Sequence, residues 1–338
     1  MRKSQVLWTL LTSSALVAPA FAADIPVKAP PAPQWQQVSG YLEMEGGFAW
    51  QDNQGFNPVQ DVGYSGSNNK WMVNGAARVN VWWGRNYSTQ FDVWGGFDSF
   101  GRSNGNNNGV IANVNLGGHY SYRDAQALYG LFGAVGGIGS NNNCCNGGAA
   151  FSHATFGLEG QYYLGQLTLY GQVGLQTNIS NGNNGGGYRA WFIRGVGRYF
   201  LNDNLKLEGF AAYANGRTSS EDFFPTGFIN SADFFTMQQV SWGVGVEKRF
   251  DHTPFSAFAR YEGNWTEFQT KFDNGYTNSN YNGGHTTEHA FKAGFRVYLN
   301  ENTLKYNDRN GATLDIRDPF TSAYRAFGRT WNANGGPP

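Results

Sequence analysis

A chain of 338 residues can form one large domain or barrel, but charged residues make up only 14% of it, aromatics reach 16% and glycine is 47 of the total, against a usual charged share of about 25% in soluble domains. The formal charge is zero, so no basic excess points to nucleic acid or anionic lipid. Beyond the N-terminal leader no stretch approaches the roughly 18 apolar residues of a transmembrane helix, so any passage through a membrane must be made by strands.

The leader comes first. Arg2 and Lys3 precede the apolar stretch Val6–Val17, and Ala20-Phe21-Ala22 supplies a small-x-small cleavage site. That order reads as a secretory signal peptide over residues 1–22. Residues 23–37 hold Pro26, Pro30, Pro31 and Pro33, which makes them an extended, stiff periplasmic linker.

From Gly40 onward one pattern recurs: segments of about ten residues alternate apolar with polar or small side chains, as a strand does when its two faces meet different surroundings. Gly40–Trp50 sets Leu42, Met44 and Phe48 against Glu43 and Glu45, and Lys70–Trp83 sets Val73, Val79 and Val81 against Asn74, Arg78 and Asn80. Tyr87–Phe100 opposes Phe91 and Val93 to Gln90, Asp92 and Asp98, and Val110–Tyr122 opposes Val114 and Leu116 to Asn115 and His119. Ala127–Gly139 and Phe151–Tyr163 follow, the latter with Leu158 against Glu159 and Gln161. Leu167–Ile179 places Leu169 and Val173 opposite Thr168 and Gln172, while Tyr188–Phe200 places Trp191 and Ile193 opposite Arg194 and Arg198. Leu205–Tyr213 carries Lys206 and Glu208 on its polar face, and Gln239–Phe250 carries Glu247 and Arg249. Phe255–Trp265 and Glu288–Leu299 complete twelve segments.

The connections alternate strictly between short and long. Gly84-Arg85-Asn86, Arg123–Gln126, Leu164–Gln166, Leu201–Asn204 and Asp251–Pro254 are short; Gln51–Asn69, Gly101–Gly109, Ser140–Ala150, Ser180–Gly187, Ala214–Gln238 and Thr266–Thr287 are long. Tight periplasmic turns and longer extracellular loops are the asymmetry of bacterial outer-membrane barrels, and an even strand number returns both ends to the side of the short turns. Trp83, Tyr87, Tyr120, Tyr122, Tyr162 and Tyr199 fall near segment ends, where interfacial aromatic girdles sit. The fold class is therefore all-β: a transmembrane antiparallel β-barrel of about twelve strands over residues 38–299, with a periplasmic C-terminal extension over 300–338, in the cell outer membrane of a Gram-negative bacterium.

Both ends of the barrel region carry a resemblance. Ala22-Ala23-Asp24-Ile25-Pro26-Val27-Lys28-Ala29-Pro30 resembles the mature start of outer-membrane β-barrel proteins of rhizobial and related alphaproteobacteria. In the last segment Lys292, Gly294, Val297 and Leu299 resemble the signal read by the barrel-insertion machinery. The resemblance implies a porin-like barrel in contact with outer-membrane lipid and lipopolysaccharide. Members of that family are often shorter, and this chain continues past Leu299 to Pro338.

Charges are scarce, yet they gather on the inward face: Glu43, Glu45, Arg78, Asp92, Glu159, Arg194, Arg198, Glu208, Glu247, Arg249, Arg260, Glu262, Lys292 and Arg296, with Asp98 and Glu288 beside them. Closure sets Glu43 and Glu45 against Lys292 and Arg296. The lumen is then either a narrow water path or a closed salt-bridge network, since isolated charges are costly in a low-dielectric interior. The expected function is passive diffusion of small polar solutes, the alternative a non-conducting structural or surface-interaction barrel.

No catalytic set, cofactor or metal site is expected. Ser152 and His153 are adjacent and point to opposite faces. His285 and His289 share a face but lie about 13 Å apart along a strand. Cys144 and Cys145 are neighbours and give no disulfide framework. The loop aromatics Phe223, Phe224, Phe228, Phe234 and Phe235 are expected to form a lid or plug, because an exposed apolar cluster is disfavoured without a partner.

Overall fold

A computed structural model describes residues 38–57, 62–100, 109–141, 150–181, 189–219, 234–273, 278–299 and 302–316. The leader, the proline-rich linker, Cys144-Cys145, the loop aromatics Phe223, Phe224 and Phe228, and the side chains of Phe234 and Phe235 lie outside the described residues.

Twelve antiparallel strands form one closed barrel. They are β1 (Val38–Asn57), β2 (Val62–Trp83), β3 (Tyr87–Phe100), β4 (Gly109–Arg123), β5 (Ala127–Asn141) and β6 (Ala150–Leu164), then β7 (Leu167–Asn181), β8 (Arg189–Asn202), β9 (Leu205–Ser219), β10 (Phe234–Arg249), β11 (Phe255–Asp273) and β12 (Asn278–Tyr298). Each pairs with its sequence neighbours, and β1 closes on β12, with Glu43 opposite Arg296 and Leu42 opposite Val297. Closure leaves no sheet edge, so the backbone groups of the spanning part are satisfied within the sheet, as a hydrocarbon surrounding requires.

The strands meet the short turns where the sequence expects them, and there Gly84 and Gly165 adopt positive φ of 79° and 56°, a region that costs glycine nothing. At the other end the ladders run on. β1 and β2 pair as far as Asn57 and Val62, β9 and β10 as far as Ser219 and Phe234, and β11 and β12 as far as Asp273 and Asn278. Much of what reads as long loop in the sequence is therefore hairpin. Lipid imposes apolar–polar alternation only within its own thickness; beyond it the ladder continues without that signal.

The two faces divide as the alternation predicts. Leu42, Val93, Val114, Leu158, Val173, Ile193 and Val244 are exposed on the outside, while along β8 every residue from Arg189 to Phe200 alternates between exposed and covered. So broad an apolar belt would make a soluble protein aggregate; in a bilayer it is the solvated surface. An aromatic girdle marks one rim, where Tyr87 stacks on Tyr120 at 6.0 Å and meets Tyr122 edge-on at 5.5 Å. At the opposite ends of the strands Trp50, Tyr261 and Phe291 surround His289, whose Nδ1 lies 2.7 Å from the Tyr261 hydroxyl. His289 is thus part of the outer aromatic cluster.

The belt carries a quantitative expectation. Leu158 sits in the middle of β6 between Leu131 and Val173. Leu158→Arg should destabilise the barrel by about 2–4 kcal/mol, the cost of a cation at the bilayer midplane. Equilibrium unfolding in lipid vesicles measures it, and an unchanged midpoint would remove Leu158 from the lipid face.

Candidate functional site

The fourteen expected lumen residues have buried or half-buried side chains, and most of them are joined in networks of ion pairs and hydrogen bonds. At the closure seam, Glu43 accepts from Arg260 Nη2 at 2.6 Å and from Arg296 Nε. Glu45 takes Arg260 Nε at 2.7 Å and Asn74 Nδ2 at 2.8 Å. Arg296 continues to Glu247, which also holds Lys206 at 3.0 Å, Ser256 at 2.8 Å and Tyr298 at 2.8 Å. Lys292 closes the set on Glu262 at 2.7 Å, with Glu45 at 3.8 Å. Gly294 lets this seam form: a Cβ there would stand 2.2 Å from the Met44 carbonyl oxygen.

Across the lumen His119 is clamped between two carboxylates, Nδ1 at 2.6 Å from Glu159 and Nε2 at 3.2 Å from Asp92. Gln90 donates to Asp92 at 2.6 Å, Tyr170 and Gln172 to Glu159 at 2.8 and 3.4 Å. Asp98 and Glu288 both face Lys70. Arg249 lies over the Tyr298 ring at 4.7 Å and donates to the Thr253 carbonyl oxygen at 3.2 Å, near the turn after β10.

The main departure from expectation is the C-terminal extension. The sequence reading makes 300–338 a periplasmic extension, in part packed under the barrel mouth; residues 304–310 sit at that mouth against the short turns at Gly165, Gln166 and Asp203, and 312–316 run on into the lumen. Thr303 caps a seven-residue helix, α1 (Leu304–Asn310), by accepting from Tyr306 N at 3.2 Å. A helix this short is marginal alone, and the barrel holds it. Lys305 N donates to the Asp203 carbonyl oxygen at 3.1 Å, and Arg123 Nη1 reaches the carbonyl oxygens of Arg309 and Gly311 at 2.9 and 3.2 Å. Arg123 is fully buried although the sequence places it beside a turn, and its guanidinium lies over the Trp82 ring at 5.5 Å.

Beyond Gly311 the chain is extended and obeys the two-residue rhythm of a strand. Ala312 packs with Tyr41, Phe200 and Tyr298; Leu314 with Leu128, Tyr170 and Val196; Ile316 with Phe132 and Phe192. The alternate residues meet the arginines. Arg198 Nη1 donates to Thr313 Oγ1 at 2.7 Å and to Asp308 Oδ1 at 2.9 Å, and Arg194 Nη1 to Asp315 Oδ2 at 2.7 Å. Gln90 pairs with Leu314 in both directions, at 2.8 and 3.2 Å. Burial pushes the Asp315 carboxyl up, but Arg194, Arg78 and Arg198 outweigh it and hold it below its ordinary range. The segment is thus a plug, fixed by apolar pockets on one side and ion pairs on the other.

The plug leaves a cavity of about 270 Å³ beside it, lined among others by Glu43, Arg78, Arg194, Glu208, Arg260 and Asp315. The sequence reading puts Lys206 on the polar face with Glu208 but leaves it out of the lumen set, and it misses Asp308 and Asp315. The alternation from Ala312 to Ile316 spans only five residues, too few to mark the plug against the polar tail. Among the described residues no three His, Cys, Asp or Glu side chains are placed to share a metal ion.

Gly117 offers a way to loosen the plug from the wall. A Cβ at this position would stand 2.7 Å from Ile316 Cδ1 and 2.9 Å from Trp94. Gly117→Val should push the end of the plug inward, and because the clash is with flexible side chains the cost should be modest, about 1–3 kcal/mol. Faster tryptic cleavage at Lys305 and Arg309, with the barrel itself intact, is the expected readout.

No protein-family model matches this sequence, and no curated protein matches it. Among solved structures, the chain is similar to the translocator domain of the autotransporter NalP from Neisseria meningitidis, at 10% identity over 76% of this chain and 88% of that one, with a TM-score of 0.48. It is similar also to an outer membrane channel from Pseudomonas putida F1, at 12% identity over 84% of this chain and 100% of that one, TM-score 0.48. A Pseudomonas aeruginosa FadL homologue follows at 10% identity over 78% of this chain and 90% of that one, TM-score 0.38.

Proposed function

We propose that this protein is a passive, non-catalytic diffusion channel of the outer membrane for small polar solutes, narrowed by its own C-terminal segment. The observation that carries this reading is the cavity beside the plug, lined by charges of both signs in a barrel whose outer surface is apolar. Eight-stranded barrels are filled by their side chains and barrels of 16–18 strands leave an open channel. Twelve strands give room for a wet path only if the centre is not wholly occupied, and the cavity supplies that room. The end motifs that resemble alphaproteobacterial outer-membrane barrels support the same location, with lipid and lipopolysaccharide on the belt and the insertion machinery reading β12.

Reconstitution of the full chain in planar bilayers tests it. Small, resolved unitary currents are expected, with permeation limited to solutes well below the size of a disaccharide. Absence of any unitary current would favour the second reading, a non-conducting structural barrel. The favouring observation for that second reading is the plug itself, whose Leu314 and Ile316 pack against side chains of β5, β7 and β8 inside the lumen.

A further inference from the structure

The lumen wall is not electrically uniform. On the seam side, Glu43, Glu45, Glu247 and Glu262 each have a cation of their own among Arg260, Arg296, Lys206 and Lys292. On the β2–β8 side, Arg78, Arg194 and Arg198 converge on one another; among the described residues their ion-pair partners on the wall are Asp92, 3.6 Å from Arg78, and Glu208, 2.9 Å from Arg198, while Arg78 Nη1 donates to the Tyr41 hydroxyl at 2.5 Å. The remaining counter-charge comes from the plug: Asp308 on Arg198, and Asp315 2.7 Å from Arg194 and 4.0 Å from Arg198.

We propose that Arg78, Arg194 and Arg198, with Tyr170 and Gln172, form a binding site for small carboxylate anions, which Asp315 occupies as an internal competitor. The proposal rests on the channel reading and names its solute class. Four features of the geometry support it. Arg194 binds a carboxylate already, so the site's chemistry is displayed by its present occupant. Gln172 Nε2 donates to the Asp315 carbonyl oxygen at 2.6 Å, and the Tyr170 hydroxyl, whose one proton is shared between Glu159 at 2.8 Å and that carbonyl at 3.0 Å, stands beside it, a second donor group suited to the other end of a dicarboxylate. Arg78 Nε and Arg194 Nε make no hydrogen bond, nor does Asp315 Oδ1, so donor capacity exceeds what the plug uses. Finally, the Asp315 side chain is 24% exposed and lines the cavity, so a solute in that cavity reaches the carboxylate it must displace. Guanidinium groups suit this task because their fixed fork of donors matches a carboxylate's two oxygens.

The test uses the full chain in detergent, titrated calorimetrically with succinate, with inorganic phosphate and erythritol as comparison solutes, and in planar bilayers with the same solutes. Succinate is expected to bind and to reduce the chloride current; erythritol is expected to do neither. Arg194→Gln should weaken succinate binding about tenfold or more, and Asp315→Asn should tighten it by a similar factor, since one removes a charge-assisted donor and the other the competing charge. Should Arg194→Gln fail to fold, Asp315→Asn decides alone, with its folded state checked by heat-modifiable gel mobility. Weaker or unchanged binding in Asp315→Asn would overturn the proposal, as would phosphate binding as tightly as succinate. Succinate binding with these opposite shifts but no unitary current would sink the channel reading and leave the site standing. Currents through a protein that neither binds succinate nor is slowed by it would do the reverse.

Discussion

Removing residues 302–338 is expected to raise the unitary conductance about threefold or more, toward that of an open barrel of this strand number. The reasoning is geometric. Beside β5, β7 and β8 the lumen is narrowed by Leu314 and Ile316, whose neighbours Leu128, Phe132, Tyr170 and Phe192 reach in from the wall. Without the plug these side chains face water, and so do Arg123, Arg194 and Arg198. The same deletion should therefore lower the thermal midpoint. Breaking a buried pair by removing one partner costs about 3–5 kcal/mol, but here water can enter and rehydrate the arginines, so each pair should cost the lower end or less. The twelve-strand ladder remains, and the truncated chain should still insert and shift on heating in a gel. A conductance identical to that of the full chain would place the constriction elsewhere, in the salt-bridged seam.

The barrel was legible because the bilayer writes it into the sequence. An outer face in hydrocarbon and an inner face in water force a period of two over every crossing, and the parity of one residue then fixes the facing of the rest. Thus Glu43 and Arg296 could be paired from the closure of β1 on β12 alone, and their register agrees. What lay beyond parity was reach across the lumen. Arg260 sits on β11, two strands from Glu43, and contacts it only because the barrel curves. His119 draws one carboxylate from β3 and another from β6, an association no linear pattern contains. The plug was illegible for a different reason. Its helix has seven residues and its extended part five, each too short to show a period against the polar tail around it, and both depend on pockets the barrel supplies. Asp315 could be recognised as a lumen residue only after Arg194 was seen to be facing it.

The second large effect is expected at Arg296. Its guanidinium joins Glu43 on β1 to Glu247 on β10 and lies over the rings of Tyr41 and Phe258 at 4.9 and 5.0 Å. It thereby ties the closing strand to three others. Arg296→Met keeps the bulk of the side chain but strands two carboxylates: Glu43 retains Arg260, and Glu247 retains Lys206, Ser256 and Tyr298. Because both carboxylates keep partners and the site borders the cavity, the loss should fall near the lower end of the roughly 3–5 kcal/mol typical of a broken buried pair. Arg296→Lys should lie between, since an ammonium can satisfy one carboxylate but does not span two as the guanidinium fork does. Adding Glu247→Gln to Arg296→Met should restore part of the stability, because the stranded charge goes with it; independent contributions would instead add. Urea unfolding of the parent, Arg296→Met, Glu247→Gln and the double variant in one detergent, followed by gel mobility, measures the cycle. Simple additivity, or an Arg296→Met barrel as stable as the parent, would show that the backbone ladder closes the barrel unaided and that the seam charges serve only the water path.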